Sequence, residues 1–370
     1  MNIFVINWRC FKNPLAGGAE IYFQEIFKRI VNMGHKVTQL AVQFDNAPET
    51  EIIDGINISR IGTKNTFNFA VYRELPHLLE QENYDIVIDD LNKIPFYSPW
   101  ITKKPVLALM MHLFRKSIFS EVFFPFASYV YLAESLIPLC YKKNYFAALS
   151  ESSKQDLVKM GIKPDKIVTI PPGIDLQLYQ PNDAIKQNNL IIHTGRLKKY
   201  KSTDHLILAT QKLVQNSKDV KVVIIGGGDD LPRLKELTKK LALENYITFT
   251  GYISESEKIN YYQKASVLVE NSIKEGWGMI VIEANACGTP VIASRSPGLR
   301  DAVLDQKTGF LYDYANINEL AEKIELLLDN KTLHRQMAQA GIQWAKNFSW
   351  DNAAKEMLKI IEKTVEERKD

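Results

Sequence analysis

Short runs of β-branched and other apolar residues recur along the chain, separated by longer stretches in which apolar positions return every three or four residues. The short runs suit strands covered on both faces, and the longer ones suit amphipathic helices. The first half predicts strands over residues 3–7, 37–42, 86–89, 106–110, 146–149 and 167–170, with helices over 19–33, 69–82 and 152–160. Pro171-Pro172-Gly173 and the polar stretch 180–189 then bring turn and linker chemistry, which sets a domain boundary. The pattern restarts with strands over 190–193, 222–225, 247–250, 267–269 and 291–293, and with a helix after Ser254 that Glu257 completes as a capping box. Only helices follow, over 317–328, 332–346 and 352–367. Such alternation predicts an α/β fold of two doubly wound parallel-sheet domains, residues 1–175 and 176–351. Open sheets of this kind bind ligands at the carboxyl ends of their strands, so a cleft between the two sheets is the expected place of function.

Charge and composition narrow the class. Lys and Arg number 46 against 43 Asp and Glu, a net charge of +3, so the sequence carries no footprint of a nucleic-acid binder. With 46% hydrophobic residues and 24% charged, the chain is neither disordered nor of low complexity. Cys10, Cys140 and Cys287 are scattered, without the spacing of a zinc or redox site, which matches a reducing cytoplasm. The first residues lack the basic and apolar regions of a secretory signal. Residues 122–140 approach the length of a membrane span, but Pro125, Glu134 and Pro138 interrupt them, and a transmembrane helix is rejected. The wider stretch 113–146 gathers Phe114, Phe119, Phe123, Phe124, Phe126, Tyr129 and Tyr131 between Arg115-Lys116 and Lys142-Lys143. That composition suits a membrane-surface element and a buried core helix alike.

Chemistry concentrates after strands. In the stretch 272–284, Glu275 and Glu283 bracket Gly276-Trp277-Gly278-Met279-Ile280, a glycine-rich loop that opens a helix. Glycines let the backbone approach a ligand, and the free amides of a helix start favour an anion, so this loop is a candidate cradle for phosphate or sugar hydroxyls. Glu283 falls on the otherwise apolar stretch 279–286 and should therefore have a partner. Thr194-Gly195-Arg196 through Lys201 nearly spells a phosphate loop, but Tyr200 takes the place of the second glycine and weakens the nucleoside triphosphatase reading. Arg196, as a fork, and Lys201, as a point charge, could grip a diphosphate. Gly17-Gly18 lies between the first strand and first helix, either as an ordinary turn or as a phosphate or sugar approach. Gly226-Gly227-Gly228 lacks the third glycine of a dinucleotide fingerprint, since Leu231 stands there. His112 follows a strand and is as often structural as functional at such a rim, while Asp89-Asp90 reads as a capping pair with no third metal ligand nearby.

These residues together resemble the retaining nucleotide-sugar glycosyltransferases of the GT-B fold, group 4 family. Glu275 to Glu283 is similar to that family's E-x7-E motif, and Gly195-Arg196 with Lys201 to its GR-x4-K motif. Ser150-Glu151-Ser152-Ser153 through Asp175, Gly288-Thr289-Pro290-Val291-Ile292-Ala293, and Phe348-Ser349-Trp350 extend the likeness over most of the chain. Departures are Pro172 where asparagine is common, Ser202 where glycine usually follows the lysine, and Ser296-Pro297-Gly298 where a glycine pair is common.

The resemblance implies hexosyl transfer from a nucleotide diphosphate sugar to an acceptor hydroxyl, with retention, no metal and no cofactor. It implies a donor site of Gly17, Gly18, Gly195, Arg196, Lys201, Glu275, Gly276, Trp277, Gly278, Met279, Ile280 and Glu283, and catalytic roles for Glu275, His112, Arg196 and Lys201. In these terms Glu283 holds the donor ribose and His112 lies near the transferred sugar. Glu275 acts either as nucleophile or as a sugar-holding group in a reaction on one face. The N-terminal domain takes the acceptor, and the helix over 352–370 returns to that domain. The stretch 113–146, with its aromatics beside two basic pairs, adds the expectation of a glycan or lipid-linked acceptor met at an anionic membrane surface, against a buried helix core with a soluble acceptor. Rival readings are a sugar-nucleotide epimerase of similar architecture, which should lack the paired motifs, and a non-catalytic membrane-associated subunit, which should not retain the four charged residues.

Overall fold

In the computed structural model the described residues are 1–92, 94–120 and 122–368, without the side chains of Lys116 and Ser120. The chain forms two compact units, Met1–Gly173 with Trp350–Asp370, and Ile174–Ser349.

The first unit runs β1 (Asn2–Ile6), α1 (Gly18–Asn32), β2 (Lys36–Val42), β3 (Thr50–Ile53), β4 (Ile56–Ile61), α2 (Phe67–Gln81), β5 (Ile86–Asp90), β6 (Val106–Met110), α3 (Phe124–Ser135), α4 (Ile137–Tyr141), β7 (Tyr145–Ala148), α5 (Glu151–Lys159) and β8 (Ile167–Thr169). Its eight-stranded sheet has the order β3-β4-β2-β1-β5-β6-β7-β8. All neighbours pair parallel except β3 with β4. The sequence pattern misses β3 and β4 for a physical reason. They form a hairpin at the sheet edge, where Ile52 is 70% exposed and only alternate residues need be apolar.

The second unit runs β9 (Leu190–Thr194), α6 (Thr203–Gln215), β10 (Lys221–Ile225), α7 (Leu231–Lys240), β11 (Ile247–Gly251), α8 (Glu255–Lys264), β12 (Val267–Glu270), α9 (Met279–Ala286), β13 (Val291–Ser294), α10 (Leu299–Ala302), β14 (Gly309–Tyr312), α11 (Ile317–Asp329) and α12 (Lys331–Ala345). Its six strands lie all-parallel in the order β11-β10-β9-β12-β13-β14. Two cores result from the period of two along each strand. Ile192, Leu268 and Ala293 pack into one, and Ile191, Val267, Val269 and Ile292 into the other. The expected α/β class is the observed one. The Ser254 capping box at the start of α8 is formed, with Ser254 Oγ accepting from the Glu257 amide and the Glu257 carboxylate accepting from the Ser254 amide.

The last helix, α13 (Trp350–Glu366), belongs to the first unit. Its buried residues Ala353, Ala354, Met357, Ile360, Ile361 and Thr364 recur at helical spacing. Asp351 pairs with Arg29 of α1 at 2.6 Å, and the Trp350 ring meets Tyr22 edge-on. Beyond the helix, Glu367 binds both Tyr145 and Lys166.

The aromatic stretch resolves into a 3-10 turn (Arg115–Ser120), α3, α4 and the start of β7. Among the described residues no helix is long and apolar enough to cross a membrane. Phe146 is buried in the sheet, whereas Phe123, Phe124 and Phe126 stand 75%, 69% and 68% exposed.

Candidate functional site

In the second unit, three loops at the carboxyl ends of parallel strands are tied together by their backbones. After β9 the chain turns at Gly195, whose φ of +142° suits glycine, and its amide donates to Ile225 O at 3.0 Å. The chain then winds through Lys199–Lys201 and enters α6 from Ser202. Ser202 has φ +49°, the left-handed conformation, and its hydroxyl lies 2.8 Å from Tyr314 Oη. A serine where glycine would be easier is thus anchored by a hydrogen bond. Ile273 N donates to Tyr200 O at 2.9 Å, joining the loop after β12 to the loop after β9. Glu275 N donates to Pro297 O at 3.0 Å, and a Cβ on Gly298 would stand 2.2 Å from Glu275 O. Ser294 and Ser296 both donate to Ser272 O, at 2.6 and 2.7 Å.

The glycine tract that failed as a dinucleotide fingerprint has a packing role. A Cβ on Gly226 would lie 2.0 Å from Gly195 O, and one on Gly228 would lie 2.1 Å from Leu197 O. Leu197 N donates to Gly227 O at 2.9 Å. Loop 195–197 therefore rests directly on the backbone that follows β10. Tyr252, 77% exposed, covers Gly227 and donates to its carbonyl at 3.3 Å.

Inside this frame Lys201 is 9% exposed, and its ammonium lies 2.7 Å from Glu275 Oε1 and 3.7 Å from Glu270 Oε1. Burial alone would lower the lysine's pKa, but the two carboxylates outweigh it and push the value up, so the ammonium stays charged. Arg196 is exposed. Gly278, at φ +103°, caps α9 without any side-chain hydrogen bond, which leaves the first-turn amides of Met279 and Ile280 without a side-chain cap. The Trp277 ring is 7% exposed and packs 5.2 Å from Phe348, so only the backbone of that residue is available to a ligand.

Glu283 lies on α9 and does have partners. Tyr262 Oη donates to its Oε2 at 2.7 Å, and Lys258 Nζ sits 3.1 Å from the same oxygen. Lys258 also pairs with Glu255 at 2.9 Å, and Tyr179 binds Glu255. Gly195, Arg196, Lys201, Glu275, Gly276, Trp277, Gly278, Met279, Ile280 and Glu283 thus all belong to this unit, on adjoining loops and on α9.

Gly17, Gly18 and His112 belong to the first unit. Gly17 is the residue before α1, and its amide donates to Glu20 Oε2 at 2.7 Å. His112 follows β6, half-buried, with its ring 4.7 Å from Phe114. Buried Glu134 holds that loop by accepting from the Phe114 and Arg115 amides at 2.6 and 2.7 Å. Asp89 anchors a loop, accepting from Ser98 N, Ser98 Oγ and Tyr141 Oη. Among the described residues no cluster of His, Cys, Asp and Glu could hold a metal ion.

Sequence reasoning passed over Glu270, Lys258 and Tyr262. The visible signal for Glu270 was an acid closing the apolar run Val267-Leu268-Val269; for the other two there was none, since each becomes relevant only through contact with Glu283.

Comparison with known proteins adds a family to this geometry. A family model described as "Glycosyl transferases group 1" matches residues 177–344, and one described as "Glycosyltransferase Family 4" matches residues 16–178. A D-inositol 3-phosphate glycosyltransferase of Corynebacterium aurimucosum is 34% identical over 215 residues, 53% of this chain and 51% of the relative. The chain spans about half the length of the curated relatives of this kind that it matches at 30% identity or more. Among solved structures, a sucrose-phosphate synthase from Thermosynechococcus elongatus superposes with a TM-score of 0.82 at 20% identity, covering 98% of both chains. HepE of Anabaena, in complex with UDP and glucose, superposes with a TM-score of 0.78 at 16% identity, covering 98% of this chain and 100% of that one.

Proposed function

Because the chain belongs to the group 1 family of glycosyltransferases and has the GT-B fold, we propose that it transfers a hexosyl group from a nucleotide diphosphate sugar to an acceptor hydroxyl, with retention of configuration. The observation that carries this reading is the buried Lys201 ammonium, paired with Glu275 at 2.7 Å on adjoining strand-end loops. In the reaction the bond from the anomeric carbon to the β-phosphate oxygen breaks, the acceptor oxygen bonds to that carbon, and the acceptor's hydroxyl proton passes to the departing diphosphate. Charge grows on the departing diphosphate, and preorganised positive groups aimed at it lower the barrier. Lys201, Arg196 and the Met279 and Ile280 amides supply such groups from the protein itself, so the step needs no metal ion. Glu275 meets the sugar and Glu283 the ribose. UDP in the complex of HepE makes a uridine donor the first to test.

The proposed acceptor is carried on a lipid at the cytoplasmic membrane surface, and the first unit meets that surface through α3 and its surroundings. Support comes from the exposed Phe123, Phe124, Phe126, Leu132 and Leu139, with Lys142 and Lys143 exposed beside them. Glu134, the acid of α3, is buried and turned to backbone amides, so it does not oppose an anionic surface. Asn68 of α2 donates to Tyr129 at 3.0 Å, which sets exposed Phe69 and Tyr72 on a helix fastened to α3.

Native mass spectrometry of the chain against UDP-, GDP- and ADP-sugars tests the core of this reading. One nucleotide class should bind, and turnover of that donor should persist in EDTA. Lys201→Ala and Arg196→Ala should each reduce turnover by about two decades while leaving the fold intact. Full activity in the double variant would refute the assignment.

A further inference from the structure

Glu270 ends β12, directly after the apolar run Val267-Leu268-Val269, and it is 0% exposed. Its Oε1 accepts from the Ser272 amide and hydroxyl, while its Oε2 is buried without a hydrogen-bond partner among the described residues. Burying such a carboxylate is costly, and an apolar residue would serve the strand better. Nor does Lys201 need it for neutralisation, because Glu275 is already 2.7 Å away. One lysine therefore faces two carboxylates, and the second is the more rigid of them. Register pairing of Glu270 with Ala293 on β13 and the bonds to Ser272 fix it in place, whereas Glu275 lies in a loop.

We propose that Glu270 sets the affinity for the diphosphate: it is a permanent counter-charge that offsets part of the Lys201 field, so that the nucleoside diphosphate product is held loosely enough to leave. This rests on Lys201 being the diphosphate cation. A bound diphosphate can displace the loop-borne Glu275 from Lys201 and hand that carboxylate to the sugar. It cannot displace Glu270. The like charges then stay close in a poorly screened environment, where repulsion is much stronger than in water. The cost falls on every state with a diphosphate present, and it is useful where product release limits turnover.

Glu270→Gln keeps the shape and removes the charge. Calorimetric titration with UDP, GDP and ADP and with the matching nucleosides measures the consequence. The diphosphate that binds the wild type should bind Glu270→Gln at least fivefold more tightly and dissociate more slowly, with nucleoside affinity unchanged. Glu270→Leu, which leaves no polar atom to satisfy, should show the same gain. Unchanged or weaker diphosphate binding in these variants, or an equal gain for the bare nucleoside, overturns the proposal. Lys201→Ala separates the two levels of the argument. If it leaves diphosphate affinity at the wild-type value, the Lys201 reading fails and takes the proposal with it. If it weakens binding while Glu270→Gln changes nothing, only the proposal fails.

Discussion

Tyr262 donates its phenol hydrogen to Glu283 Oε2 at 2.7 Å, so the glutamate enters the site already oriented by a buried donor. Burial, and then the neighbouring Glu283 charge, push the Tyr262 pKa well up and keep the phenol a donor. Lys258 engages the same oxygen at 3.1 Å, so in the proposed reading the other carboxylate oxygen, Oε1, is the one that meets a ribose hydroxyl. The two glutamates should then divide labour. Glu283→Ala should weaken nucleoside diphosphate binding roughly tenfold or more, the scale of a lost hydrogen bond to a charged group. Glu275→Gln should depress turnover more than donor affinity. Calorimetry beside steady-state kinetics reads both, and an equal loss of binding in the two variants would contradict the division.

A second expectation concerns acid stability. His193, buried in β9, donates from Nδ1 to Val269 O at 2.9 Å, and its Nε2 lies 3.1 Å from Thr203 Oγ1. Burial lowers its pKa from the ordinary 6.5, with the Glu270 charge opposing only in part. The unfolded chain thus binds the proton more readily, and stability is full above pH 6.5 and is lost as pH falls through the depressed folded value. Thermal unfolding of the wild type should lose ground between neutral pH and pH 5 relative to His193→Gln. Parallel melting curves for the two proteins over that range would show that this histidine does not set the acid limit.

The membrane reading makes a third. Flotation with vesicles containing anionic phospholipid should recover the wild type at low salt, fall as salt is raised, and fall when Phe123, Phe124 and Phe126 become Ser. Reversing the charge of Lys142 and Lys143 to Glu should weaken it further. Apolar insertion and attraction to headgroups act together in such binding, so either change alone should reduce it without abolishing it. Absence of flotation at low salt, with full activity on a soluble acceptor, would overturn the membrane assignment and leave the transferase reading intact.

Strands that are covered on both faces, such as Val267-Leu268-Val269 and Val106 to Met110, announce themselves as unbroken apolar runs, which is why the central strands of both sheets could be read directly. The edge pair β3 and β4 and the short β14 could not, because half-exposed or brief strands resemble loops in composition. The loops carrying Arg196, Lys201 and Glu275 were legible from their glycines and charges. Their partners were not: Tyr262 and Lys258 reach Glu283 from α8, and Glu270 meets Lys201 across two strand ends. Such meetings depend on sheet order, which no local pattern encodes. The aromatic stretch was ambiguous for another reason, since composition alone does not tell which face of α3 is covered.

The glycines after β10 give the loop that carries Arg196 and Lys201 an unusual kind of independence. A seat formed by Gly226 and Gly228 against carbonyl oxygens has no side chain in it, so its shape is indifferent to changes elsewhere in the site. Exchanges at Lys258, which meets Glu283 on α9, can remodel that side of the site without shifting where Arg196 and Lys201 begin. The selectivity of the unit can therefore be altered piecemeal, while the start of its charged loop is seated on main chain.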